Sequence, residues 1–271
     1  MDDARSFAGL VPGLLAALFW SAFPPAPLSA QAPSAPRAEA RWLAHLSWER
    51  QFPGSDLPQW SDWTSMEVGL LRDFRSGAVG VQAFRVERFG AVDGGAAVDV
   101  YRELWSGSYG NVRVRVAPDA GILPDADARI ELFQALPGAW EVSGSWWRMD
   151  VPAYDVDVLG VGVARYVGQW YLRQVTSLSF LAGESALSAS LSARRYLGSS
   201  REFLELGAGV GREAVVLGAG PAVDTRDTRF AQVRMSRFLG RRWGVTGTAG
   251  YHAFEGTPDR KLLAVGILAR F

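Results

Sequence analysis

The sequence predicts an all-β fold: a single antiparallel up-and-down transmembrane β-barrel of about fourteen strands, with twelve as the alternative count. Three observations carry this. Apolar and polar residues alternate with period two through most of residues 41–271. Short connections alternate with longer ones along the chain, which suits a barrel with short turns at one end and loops at the other. The polar faces are built from Gly, Ser and Arg, and Lys occurs once, at Lys261. A water-facing sheet would be dominated by long Lys and Glu side chains. Arg, planar and less strongly hydrated, suits a confined polar interior.

The chain opens on an apolar stretch, residues 7–23, "FAGLVPGLLAALFWSAF", followed by small residues and the A-x-A site Ala30-Gln31-Ala32. This predicts a secretory signal over 1–32, although "MDDARS" carries two acids where positive charge is the rule. Residues 33–40 read as a short Pro/Ala linker, and 41–271 as one barrel domain. Lys plus Arg and Asp plus Glu balance at 28 each, which argues against a nucleic-acid partner. There is no Cys, hence no disulfide framework and no thiolate metal site. After the leader no stretch reaches the ~18 apolar residues of a spanning helix.

Strands are expected in order near 41–50, 61–74, 77–89, 95–105, 109–117, 127–135 and 139–149. The second half continues at 154–167, 169–180, 185–197, 201–212, 226–239, 241–254 and 259–271. In 109–117, Val112, Val114 and Val116 oppose Arg113 and Arg115. In 185–197, Leu187, Ala189, Leu191 and Ala193 oppose Ser188, Ser190, Ser192 and Arg194. In 201–212, Leu204, Leu206, Ala208 and Val210 oppose Glu205, Gly207 and Gly209. In 241–254, Val245, Ala249 and Tyr251 oppose Thr246, Thr248, Gly250 and His252. Short turns are expected at 75–76, 106–108, 136–138, 168, 198–200 and 240. Longer loops are expected at 51–60, 90–94, 118–126, 150–153, 181–184, 213–225 and 255–258. Trp42, Trp48, Trp60, Trp63, Trp105, Trp140, Trp146, Trp170 and Trp243 mostly sit near segment ends, as rings at headgroup level do, while Trp147 shares a polar face and is expected inside.

The last segment ends in an alternating apolar face, Leu263, Val265, Ile267, Ala269 and Phe271. Lipid cannot satisfy an open sheet edge, so this strand must pair with the first, near 42–49. A terminal aromatic after such a face is the form of signal read by the outer-membrane barrel assembly machinery. Both termini are then expected in the periplasm.

The stretches "PGAWEVSGSWWR" (137–148), "ARYVGQWYLR" (164–173), "LSARRYLGSSREFLELGAGVG" (191–211) and the terminal "RRWGVTGTAGYHAF…LAVGILARF" resemble the YaiO family of outer-membrane β-barrel proteins. The resemblance covers 41–271. It implies an outer-membrane location and a single barrel, and no established activity; some relatives accompany surface-polysaccharide systems.

No catalytic, cofactor or metal residue is assigned. "GAGVGR" (207–212) does not open a helix after a strand, so its glycines read as room for side chains crossing the interior. His45 and His252 fall on inward faces, with Ser47 beside His45, which leaves a membrane-embedded hydrolase as a remote alternative. Asp125, Asp127, Asp224 and Asp227 are expected in loops, where carboxylates could touch Ca²⁺ but are ordinarily just solvated. The candidate site is the set of inward charges Arg113, Arg115, Glu141, Arg173, Arg194, Glu205 and Arg234, with Glu67, Arg72, Asp99 and Glu103. Arg194 and Glu205 are the first expected pair. Fourteen strands at ~4.8 Å spacing and ~40° tilt give a diameter near ~28 Å, with ~15 Å between side-chain tips. The loop 213–225 is the candidate for folding inside. The expected function is a narrow channel or export-associated pore, with saccharides as candidate solutes. The alternative is a closed structural or surface-interaction barrel. Expected partners are outer-membrane lipid, lipopolysaccharide and the assembly machinery.

Overall fold

Lipid demands that every backbone N–H and C=O be paired within the protein, and antiparallel strands meet that demand only when the sheet closes. The computed structural model describes residues 42–54, 62–151, 154–181, 183–216 and 223–271. The expected leader and linker lie outside them. The strands are β1 (Trp42–Pro53), β2 (Trp63–Phe74), β3 (Gly77–Arg88), β4 (Ala91–Glu103), β5 (Ser108–Val116), β6 (Ala126–Leu136) and β7 (Trp140–Val151). They continue as β8 (Tyr154–Val167), β9 (Trp170–Leu181), β10 (Glu184–Tyr196), β11 (Phe203–Val216), β12 (Val223–Phe238), β13 (Trp243–Phe254) and β14 (Arg260–Arg270). Each pairs antiparallel with its sequence neighbours, and β1 pairs with β14, so the sheet is a closed fourteen-stranded barrel.

The seam runs in register from Leu43 opposite Arg270 to Pro53 opposite Arg260. It is finished by the final residue. Trp42 N–H donates to the Phe271 carbonyl at 2.9 Å, and Phe271 N–H returns the bond at 3.0 Å.

The period-two pattern sorts side chains as the sequence predicts. Leu191, Leu206, Val210 and Val161 face outward, each at least half exposed, as do Val265, Ile267 and Phe271. Their neighbours Ser190, Glu205 and Gly266 face the lumen. The connections depart from the expected sorting. The far end, opposite the termini, holds the segment 117–125, but also the tight turn Phe89–Gly90 where a longer loop was expected. Phe89 takes a left-handed φ of 52°, with its ring edge-on to Trp63 at 5.0 Å. The expected loop 213–225 is mostly strand: β11 runs to Val216 and β12 begins at Val223. At the terminal end, 197–202 is longer than the expected turn.

Candidate functional site

The lumen holds the chemistry, and it is crowded. Asp99, Glu131, Glu141, Arg194 and Glu205 are all under 5% exposed. A charge so far from water is tolerable only with a partner of opposite sign and its hydrogen bonds made. The strand register supplies those partners.

Starting from the terminal mouth, the segment 197–202 reaches over the opening. Arg201 Nη2 contacts both carboxylate oxygens of Asp73 on β2, at 2.5 and 2.7 Å, although β12, β13, β14 and β1 separate β11 from β2 around the wall. Ser236 donates from Oγ to the Arg201 carbonyl (2.7 Å), and Glu202 accepts the Phe238 N–H (3.3 Å). Above this cover, Arg194 and Glu205 are direct cross-strand partners. Arg194 donates from Nε at 2.7 Å and lies with Nη2 at 2.6 Å from the same oxygen. Arg234 approaches the other oxygen of Glu205 at 3.5 Å. The Arg194 guanidinium lies over Phe203, 4.4 Å from its centroid. Glu141 accepts hydroxyls from Tyr109 (3.0 Å) and Tyr171 (2.7 Å), drawn from β5 and β9 on either side of it.

At mid-height Arg173 reaches from β9 to Glu131 on β6 (2.6 Å) and to Ser143 (3.0 Å), while Arg129 holds the second oxygen of Glu131 at 3.0 Å. Arg113 donates to Gln82 (2.6 Å) and lies 3.8 Å from Asp99. His45 Nε2 is 2.7 Å from Glu67. A Cβ on Gly69 would lie 2.1 Å from the His45 ring, so only glycine leaves the imidazole its place. A cavity of about 110 Å³ runs beside these groups, lined by His45, Glu49, Glu67, Arg113, Gln232 and His252.

At the far end the segment 117–125 turns inward. Ala117, Ile122 and Leu123 are buried, and Leu123 packs with Val86. One carboxylate pins it: Asp93 on β4 accepts the N–H groups of Gly121 (3.0 Å), Ile122 (2.8 Å) and Leu123 (2.8 Å). Arg115 pairs with Asp127, which also accepts the Trp147 indole N–H at 3.2 Å. Trp63, buried rather than at the lipid interface, lies between the guanidinium groups of Arg88 (4.7 Å) and Arg260 (3.4 Å).

The wall is uneven in bulk. On β8 to β11 the inward positions are Gly160, Gly162, Ser177, Ser188, Ser190, Ser192, Gly207 and Gly209, and these serines are only half-buried. Phe230 lies across Gly209, 2.3 Å from where a Cβ would stand. On β3 to β6 the inward positions carry Phe84, Arg113, Arg115, Glu131 and Phe133.

The seven candidate charges Arg113, Arg115, Glu141, Arg173, Arg194, Glu205 and Arg234 therefore all point inward, as do Glu67, Asp99 and Glu103. Arg72 does not. It stands opposite Trp42 on the outer face, over the Trp42 ring at 5.1 Å, because it lies an odd number of residues from Glu67. Three expected loop acids are strand residues: Asp127 faces inward on β6, and Asp227 sits on β12, 3.4 Å from Arg212. Asp224 also lies on β12, while Asp125 stays in the connection and accepts the Ala120 N–H. The two histidines stand apart on β1 and β13, His252 between Phe230 and Phe254. Sequence reasoning missed Asp93, Asp73 and Arg201. For Asp93 the available signal was an acid at an inward parity beside two glycines.

Solved structures of similar shape are outer-membrane barrels. The CymD monoaromatic hydrocarbon channel superposes with a TM-score of 0.56 at 9% identity, covering 86% of this chain and 89% of that one. Omp33 of Acinetobacter baumannii gives 0.51 at 8% identity, covering 85% and 99%. A bacterial polysaccharide outer membrane secretin gives 0.50 at 8%, covering 85% and 97%. At such identities the likeness is one of fold. No curated protein matches the chain. The family described as the YaiO membrane beta barrel domain matches residues 55–215, more than half of the sequence. The closed barrel with its apolar outer band agrees with that description, and the chain belongs to the YaiO family of outer-membrane β-barrels.

Proposed function

We propose that this barrel is a narrow, non-enzymatic channel, held closed in this state, whose lane runs along the serine and glycine wall of β8 to β11. The observation that carries the reading is the uneven bulk of the lumen: half-buried serines line β9 and β10 beyond the Arg194–Glu205 pair, while ion pairs and aromatic rings fill the side of β3 to β6. A lane bordered by serine and tyrosine hydroxyls and by guanidinium groups suits a small polyhydroxylated solute, which keeps saccharides as the candidate class. The segments 117–125 and 197–202 each cover one mouth, the first pinned by Asp93 and the second by the Arg201–Asp73 pair together with Ser236 and Glu202.

The cysteine-free sequence makes the test clean. Ser190→Cys and Leu191→Cys differ by one position and face opposite sides. In planar bilayers, a charged thiol reagent should change the conductance of Ser190→Cys and leave Leu191→Cys unaffected. A second reading, a closed structural barrel, is favoured by the burial of Asp99, Glu131, Glu141 and Glu205. Absence of conductance in the wild type and in Asp73→Asn and Asp93→Asn alike would decide for it.

A further inference from the structure

The outer surface differs between the two ends in a way that the lumen does not explain. At the terminal end Arg72, Arg102, Arg165, Arg195 and Arg237 occupy outward strand positions and Arg242 a turn; all are exposed. Three of them repeat one arrangement on three separate hairpins. Arg72 is the cross-strand partner of Trp42, Arg165 of Trp140, and Arg195 of Trp170. Each guanidinium lies over its indole, at 5.1, 5.0 and 5.9 Å. Among the described residues no Asp or Glu side chain shares this outer face. Asp73 and Glu103 stand at inward positions, and Glu202 is turned to the Phe238 N–H.

The far end is built differently. There Arg50 meets Asp62, Arg85 meets Glu87 at 3.3 Å, Arg148 meets Asp155 and Asp157, and Arg212 meets Asp227 at 3.4 Å. Four outward arginines at the far end meet carboxylates within the protein, whereas the six named at the terminal end meet none among the described residues.

We propose that the terminal end carries a docking girdle for anionic phospholipid, in which each Arg–Trp pair grips one phosphodiester headgroup. Indole rings settle at headgroup depth, and Arg stems run along the apolar wall to bring the charge there. Contact with the indole face keeps each guanidinium beside its ring at headgroup depth, where its planar fork can make two parallel bonds to phosphate. An outer membrane is asymmetric, with phospholipid in the periplasmic leaflet and lipopolysaccharide outside. The girdle therefore sets the termini on the periplasmic side.

The test uses the folded protein in phosphatidylcholine vesicles carrying a trace of spin-labelled lipid. The motionally restricted fraction should favour phosphatidylglycerol over phosphatidylcholine by about fivefold at low salt, from the attraction of one basic group to an anionic surface. That preference should fall towards unity at high salt and in Arg72→Gln/Arg165→Gln/Arg195→Gln. It should persist in Arg50→Gln/Arg148→Gln. A triple variant that loses its preference for spin-labelled lipid A instead would assign the girdle to lipopolysaccharide and overturn the proposal. Should the triple variant not fold, the wild-type salt series decides: a phosphatidylglycerol preference that ignores salt, or none at all, overturns it.

Discussion

Replacing Glu205 by Ala leaves two guanidinium groups, Arg194 and Arg234, facing each other in a space with little water. Both partners of the Arg194–Glu205 pair are about 5% exposed at the side chain, so solvent screening gives little relief. Breaking such a pair from one side costs about 3–5 kcal/mol, because the remaining charge keeps its desolvation penalty. Arg194→Ala should cost less. Glu205 retains Arg234 at 3.5 Å, and that side chain needs to move only slightly to close the gap. The loss is then one charge-assisted hydrogen bond together with the stacking on Phe203, about 2–3 kcal/mol. The double variant should fall about 2 kcal/mol short of the sum of the singles, since the second removal takes away a charge that the first had already stranded. Urea unfolding in vesicles, followed by Trp fluorescence, measures all three. Additivity within about 0.5 kcal/mol, or an Arg194→Ala variant less stable than Glu205→Ala, would refute the account of a shared carboxylate.

Three further outcomes are expected. Deleting Phe271 removes both bonds to Trp42 and the exposed ring that ends the 263–271 face, so outer-membrane yield and heat-modifiable migration should both drop; unchanged values would remove its role as an assembly signal. Leu191→Arg should cost about 2–4 kcal/mol if it sits near the bilayer midplane, while Ser190→Thr, one residue away on the lumen face, should be close to neutral; equal stabilities would contradict the assignment of faces. Asp93→Ala removes the acceptor of three N–H groups, so protease should cut within 117–125 and conductance should rise, and a segment as protected as in the wild type would show that its apolar packing suffices.

What could be read from the chain was local. Parity placed Arg194 and Glu205 on one face, and the hairpin between them set their height, because both follow from a two-residue repeat. Arg72 was misplaced when its charge was weighed above its odd separation from Glu67. The start of β4 was missed because 90–94, which ends on Gly94, read as a loop. Gly94 is instead a strand residue opposite Arg85 on β3, where a Cβ would lie 3.4 Å from the Phe84 carbonyl. The inward course of 117–125 depends on backbone N–H groups finding Asp93 some 28–30 residues away, and no pattern of side chains announces that. The sorting of short turns from long loops held only in part, so the barrel was inferred more securely from its faces than from its connections.

The link between Arg201 and Asp73 spans 128 residues of chain. Contacts between distant parts of a chain form late, since the entropy of bringing the ends together must be overcome first. Here the intervening chain is eight strands of wall, β3 to β10, and the segment 197–202 reaches β2 only across a finished circumference. The two residues thus meet once β1 has found β14, and their ion pair marks completion of assembly. A barrel interrupted earlier would stand with its terminal mouth open, its interior carboxylates still within reach of water, and the energetic drop of the last pairing not yet taken.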